Sequence, residues 1–541
     1  MSDQATTAPS VWERSTFVRL FRWLFSWHGI RRILIVLAWT ATIMGLWYGE
    51  ENWRGRHAWS QYRESAEARG ESFDFATYIP KPVPEAQNFA ATPFLKSFVL
   101  TSDELTGLGQ LTNDLFTRAT DHVTETNLMK DRGHRHFIDL VAWQLAAAAL
   151  PKGALKREQN FETDQCDLAA REAAAPAVLE GMKPDQAAFA ELRAASTRDF
   201  SRYPLKYDLE NPWGILVPHL ARIKGVCVRL NLETCAELAS GQESEALADE
   251  KLMFALADSI KSEPFLISFL VRLSCVQIAI QPAWEGLAER RWTDASLQEL
   301  QARFLAYDFL ADLQPSLKAE RACGVQAVDF LKVKGVGFLS NFSDDPDRFQ
   351  FDKAAFDLLR KFMPTGWYDR EKLNYCRLFE VQNGSISYPA SKGISPSKVA
   401  ADTTQLEQQI YYGIGSSGFK GILRHRLIAA LLLPSLQKIP FKVARTQAAT
   451  DQAALACALE RYRLAHGQFP EQLDALSPQF VSHLPNDVIT GKPYKYRRTD
   501  DGQFILYSVG WNEKDDGGVP GKTLFDETAG DWVWSYPKLS P

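Results

Sequence analysis

An uncharged apolar run from Ile33 to Tyr48 constrains this chain more than any other feature. In water such a run must be buried, whereas in a bilayer it need only be helical, because a helix satisfies its own backbone hydrogen bonds. Extended by Ile30 and the stems of Arg31 and Arg32, it approaches the roughly 20 residues that a hydrocarbon core requires. Trp47 and Tyr48 sit at its far boundary, where amphipathic rings collect, and Glu50 and Glu51 close it. Arg19, Arg22, Arg31 and Arg32 precede the run, while arginines and acids mix after it, which orients the N-terminus toward the cytoplasm. Phe17, Leu20, Phe21, Leu24 and Trp27 predict an interfacial helix along that leaflet. A cleaved signal peptide is the rival reading, opposed by the long charged lead-in and the lack of a small-x-small site. The expectation is a single-pass protein of the inner (cytoplasmic) membrane with most of its chain extracytoplasmic.

The 541 residues leave room for about three domains. A net charge of −5 offers no basic field, so nucleic acid is not an expected partner. The seven cysteines include no C-x-x-C pair and no histidine at metal-ligand spacing, so most are expected to be buried and inert. Cys227 and Cys235 are the one pair near enough in sequence to suggest a disulfide.

Beyond the anchor, Trp53, Trp59, Tyr62 and Ala66 fall near one face of a helix that Gly70 interrupts. Pro80, Pro82 and Pro84 then forbid helix and predict an extended strut. From about Thr101 to Phe379 apolar residues recur at helical spacing, in segments such as Phe137 to Ala149, Pro184 to Phe200, Ile215 to Leu238, Ala246 to Ile260, Phe265 to Leu287 and Ala295 to Leu310. These predict an irregular helical bundle or a short α-solenoid. A loop is expected from Gln382 to Pro396, and Ile414 to Gly418 reads as a glycine hinge.

The last hundred residues change character. Phe441, Ala444, Ala448, Leu455, Leu459 and Tyr462 align along a helix that Gly467 can close in the left-handed conformation. Tyr494 and Tyr496 lie on a strand, Asp501-Gly502 suits a tight turn, and Phe504, Leu506 and Ser508 alternate on the return strand. An acidic, glycine-rich loop follows: Asn512, Asp515, Asp516 and Asp531, with Glu513 and Asp526, supply hard oxygen ligands suited to calcium.

The order ALERYRLAHGQFP, LPNDVITGKPYKYR, DGQFILYSVGWNEKDDGG resembles the C-terminal part of the type II secretion major pseudopilin. Tyr462, Gly467, Phe469 and Pro470 match the end of that family's long helix, and Asp501-Gly502, Leu506, Tyr507, Ser508 and Gly510 match its DG hairpin and LYSxG strand. The resemblance implies a calcium loop between Trp511 and Gly518 and protein partners in the envelope. Filament assembly is not expected, because the apolar run Ile428 to Leu433 is internal, short and broken by Pro434. ENWRGRHAW together with PVPEAQNFAATPF further resembles uncharacterised membrane-anchored proteins of Verrucomicrobia and Planctomycetes, which implies no particular activity.

Catalytic constellations are few. His134, His136 and Asp139 are the nearest approach to a histidine metal cluster, but two histidines two apart diverge on a helix. Glu320-Arg321 reads as an ion pair fixing helix packing. No G-x-S-x-G elbow or phosphate loop occurs. The predicted protein is mainly α: cytoplasmic 1–32, anchor 33–49, helix and proline-rich segment 50–100, helical extracytoplasmic domain 101–381, linker 382–420, and a pseudopilin-like α+β module 421–541. The expected function is extracytoplasmic binding or scaffolding linked to a secretion or envelope assembly, without catalysis. The alternative is a hydrolase using dispersed residues such as Glu285, Glu320 and Arg321.

Overall fold

A computed structural model describes residues 16–99, 135–149, 161–164, 166–335, 361–386, 393–411, 424–523, 526–536 and 539–540. His134 and the glycine hinge 414–418 lie outside them. The described chain is mainly helical with a small C-terminal sheet. Helix α1 is Thr16–Leu24 and α2 is Trp27–Ala68, a single helix of 42 residues about 63 Å long. The helices of the body follow: α3 Leu140–Ala149, α4 Leu168–Met182, α5 Gln186–Ala195, α6 His219–Ala239, α7 Glu243–Asp258, α8 Leu266–Ala288, α9 Asp294–Leu305, α10 Phe309–Lys334, α11 Thr365–Asn383, α12 Pro396–Tyr411, α13 Leu427–Leu436 and α14 Ile439–His466.

Three helices are long and apolar enough to cross a membrane, and burial separates them. The most apolar window of α2 is 6% buried, against 72% for α8 and 67% for the stretch Leu427–His466. The latter two are core helices, apolar because protein surrounds them. Leu34, Val36, Leu37, Trp39, Ile43 and Leu46 on α2 face no protein. Its second half does dock: Trp59 and Ala66 are buried, and Tyr62 donates to Glu380 at 2.6 Å. The approach to α11 is backbone on backbone, since a Cβ on Gly55 would stand 2.0 Å from the carbonyl oxygen of Gly366. Asn52 Oδ1 accepts the Gly366 N–H at 2.9 Å, and Trp367 Nε1 donates to Glu51 at 3.0 Å. The apolar run and the following helix, two elements in the sequence, thus form one rod fixed to the body.

The proline segment is pinned to the surface of the body. Arg202 Nε donates to the Pro80 carbonyl at 2.9 Å, and Asn88 brackets Arg202 through both its amide oxygen and nitrogen. It is a strap along the body, where the sequence suggests a spacer.

Helix α14 is the centre of the fold. Between Ile439 and Glu460 every residue but Lys442 is buried, including Thr446, Gln447, Thr450, Asp451 and Gln452. Buried polar groups are tolerated when hydrogen-bonded, and these are. Gln447 Oε1 accepts the Phe309 N–H at 2.9 Å, Tyr494 donates to Asp451 at 2.8 Å, and Gln452 donates to the Trp532 carbonyl at 2.7 Å. Gly467 closes the helix at φ 79°. One side of α14 meets α8 and α9; the other carries a sheet of β1 (Lys495–Arg498), β2 (Phe504–Ser508) and β3 (Trp532–Trp534), antiparallel in that order. The third strand goes beyond the expected hairpin, and the turn differs as well. Thr499 pairs with Gln503, and Gly502 takes positive φ (76°) while Asp501 does not, so the loop is the three-residue kind closed by a left-handed glycine.

Helix α13 draws its N-terminal cap from a neighbour. Glu371 on α11, 6% exposed, accepts the Ile428 N–H at 2.6 Å. Burial pushes its carboxyl up to about 8, against the pull of those backbone donors. A raised folded value means that the folded state holds the proton longer, so stability is full below the unfolded value near 4.3 and falls as pH rises toward 8, by at most about 1.4 kcal/mol per pH unit. Glu371→Gln keeps the accepting oxygen without the charge. Melting curves should show the variant close to the parent at pH 5 and more stable at pH 8.5; parallel pH profiles would show that the carboxylate is not desolvated.

Candidate functional site

The acidic C-terminal loop is ordered by its own hydrogen bonds. Asp531, 2% exposed, accepts from the backbone N–H groups of Asp516 (3.2 Å) and Gly518 (2.6 Å). Asp516 Oδ2 accepts from Asn512 Nδ2 at 3.0 Å and the Gly530 N–H at 3.1 Å. Asp515 Oδ1 accepts from the Gly517 N–H and the Tyr507 hydroxyl, both at 3.1 Å, while Lys495 Nζ stands 3.4 Å from its other oxygen. The Gly517 N–H foremost holds the Asp515 carboxyl below its ordinary value, whereas burial raises that of Asp531. Hydrogen bonds thus join Asn512, Asp516 and Asp531, while Asp515 turns to Tyr507 and Lys495.

The dispersed acids belong to separate ion-pair clusters. Glu285, fully buried, accepts from the Ile138 N–H at 2.7 Å, Gln281 at 2.9 Å and Arg171 at 2.5 Å. Arg171 also reaches Glu289 at 2.8 Å, and its guanidinium lies 5.1 Å from the Phe137 ring centroid. Arg321 binds Glu71 at 2.5 Å and Glu380 at 3.5 Å, tying α10 to the end of α2 and to α11. Glu320, its sequence neighbour, is instead half-buried and pushed to about 7 by desolvation. His136 pairs with Asp164. Cys227 and Cys235 are free thiols on one helix, eight positions apart, too distant along it for a disulfide.

An open cleft of about 600 Å³ lies between the segment after α5, α7 and α9. That volume is in the range of small-ligand sites. Phe200, 51% exposed, and Phe254 give it aromatic surface. Lys251 pairs with Glu299 at 2.8 Å and Arg303 pairs with Asp258, while Arg198 and Asp199 line the cleft outside any ion pair among the described residues. Arg303 also lies 5.4 Å from the Phe254 ring centroid. Such a wall suits a ligand with an apolar face and a polar edge.

Beneath Arg193 three acids from adjacent helices converge. Glu233 and Glu237 stand one turn apart on α6, Asp249 projects from α7, and one carboxylate oxygen from each lies within 4.8 Å of the others. Their exposures are 1%, 5% and 0%. Arg193 Nε donates to Asp249 Oδ1 at 2.6 Å, and Gln186 Nε2 donates to Glu233 Oε1. Glu233 Oε2, Glu237 Oε2 and Asp249 Oδ2 have no hydrogen-bond partner. Desolvation, reinforced by the acids' mutual repulsion, raises Glu233 to about 8 and Glu237 to about 9; Asp249 reaches about 6 because Arg193 opposes its burial. Sequence reasoning missed this cluster. NLETCAEL carries the one-turn Glu spacing, but the third acid, Asp249, comes from the next helix, and spacing within α6 does not reveal it.

Comparisons with family models, curated proteins and solved structures found no match.

Proposed function

We propose a membrane-anchored extracytoplasmic binding protein whose body is held at a fixed pose on its anchor, with the cleft between α7 and α9 as the seat of its partner. The observation that carries this reading is the division of α2. Its first half exposes Leu34, Val36, Leu37 and Ile43 to solvent at 57–62%, while its second half is locked to α11 through Gly55 and Gly366. Exposed apolar surface on that scale marks a contact with lipid or protein, and Trp47 with Tyr48 gives it an interfacial edge. The arginines before the run support an extracytoplasmic body. The aromatic surface of the cleft, with its Lys251–Glu299 and Arg303–Asp258 pairs, favours binding.

A hydrolase centred on Glu320 is the second reading, supported by its carboxyl lying near 7, in the range of a general base. Protease added to sealed, right-side-out spheroplasts separates sidedness from anchoring. Digestion of the chain beyond Tyr48 is expected, and complete protection would reverse the orientation.

A further inference from the structure

We propose that Glu233, Glu237 and Asp249 bind one divalent cation of the hard, oxygen-liganded class (calcium, magnesium or manganese), which cross-links α6 to α7 beneath Arg193. Geometry is the first support. Oxygens about 2.0–2.6 Å from a common ion lie no more than about 5 Å from one another, and these lie within 4.8 Å. The second is the state of the carboxylates. Each residue is more than nine-tenths buried and keeps one carboxylate oxygen that no protein donor satisfies. Native proteins rarely leave three such acceptors together without a reason. The third is charge. With the three carboxylates ionised as ligands they carry −3; Arg193 on Asp249 offsets one, and a divalent ion offsets the remaining two. Among the surrounding groups Asp185 is paired with Arg229 at 2.9 Å and Gln186 is neutral, while Glu245 acts on Glu237 and Asp249 as a further negative charge that favours a cation.

Ligand type sets the class. The three carboxylates come without sulfur or imidazole, which favours calcium, magnesium or manganese over zinc or copper. Arg193, 29% exposed, stands between the cluster and solvent and marks the route by which an ion would enter. The role is structural. Helix α7 carries Asp249 and, further along, Lys251, Phe254 and Asp258 of the cleft wall. A cation would therefore fix that wall against α6. The inference stands apart from the membrane reading and survives its failure.

The probe is manganese alone, added to the chelator-treated full chain in detergent micelles and followed by the spin-resonance signal of the free aqueous ion. One ion per chain is expected, with a melting temperature several degrees higher and release of the ion by excess calcium or magnesium. Glu237→Gln keeps the size and an oxygen of the side chain, so it should melt like the parent in chelator, yet bind manganese at least tenfold more weakly. Asp531→Asn, in the C-terminal loop, should bind like the parent. No binding at millimolar manganese, no change in melting temperature on binding, equal binding by Glu237→Gln, or loss of binding in Asp531→Asn would each overturn the proposal.

Discussion

Exchange of Arg171 for methionine is expected to cost roughly 3–5 kcal/mol of unfolding free energy, because it strands two acids in the core without their cation. Arg171 is 4% exposed, and its partners Glu285 and Glu289 are 0% and 8% exposed. The guanidinium bridges both carboxylates and holds the segment at Ile138 to α8. Methionine preserves much of the apolar stem, so the loss reports the charge and its hydrogen bonds more than a cavity. Burial already raises the Glu289 carboxyl, with Arg171 as the main opposing influence. Without the arginine that acid takes up a proton more readily, and the penalty should be smaller at pH 5 than at pH 8. Denaturant unfolding of the two chains measures the difference. Adding Glu285→Gln and Glu289→Gln in the same background should recover part of it, and a single-variant loss below about 1 kcal/mol would mean that the cluster is solvated.

Arginine at Leu37 and Ile43 together is expected to move the protein out of the membrane fraction. Each arginine near the centre of a spanning helix costs about 2.5–3.5 kcal/mol of insertion free energy. Both positions lie in the uncovered half of α2, at 57% and 62% exposure, so the melting of the body should not change. Val276→Arg in α8 is the contrasting case. That helix is also apolar enough to span, but Val276 is fully buried, and a charge there should unfold the body. Fractionation with parallel melting curves distinguishes these results; unchanged membrane recovery of the double variant would mean that α2 is held by something other than lipid.

Much of the helical body was legible because long apolar-rich segments are bounded by proline, glycine or charged residues. Leu266–Ala288 falls within a residue of its expected span, and Glu243–Asp258 within three. The expected helix Ala295 to Leu310 is broken, because Asp308 turns its carboxylate onto the Ala311 N–H at 3.0 Å and starts a new helix. That cap signal was present in the sequence and was outweighed by the apolar spacing around it. Helix α14 was readable as a helix but not as the core, because Gln447, Asp451 and Gln452 look solvated until Phe309, Tyr494 and Trp532 supply their partners. The same physics hid Glu233, Glu237 and Asp249. Whether an acid on a helix faces water depends on what packs over it, and a single helix's pattern does not contain its neighbours. The strand Trp532–Trp534 alternates buried and half-buried positions, yet it is only three residues long, too short for its alternation to stand out.

Alkaline carbonate extraction of membranes carrying the full chain tests the anchoring claim most directly. The full chain should stay in the pellet and dissolve only in detergent, whereas a shortened chain starting at residue 49 should be soluble after the same treatment, with the body's melting transition retained. Release of the full chain by carbonate, or retention of the shortened one, would contradict an account in which the first half of α2 lies in the bilayer.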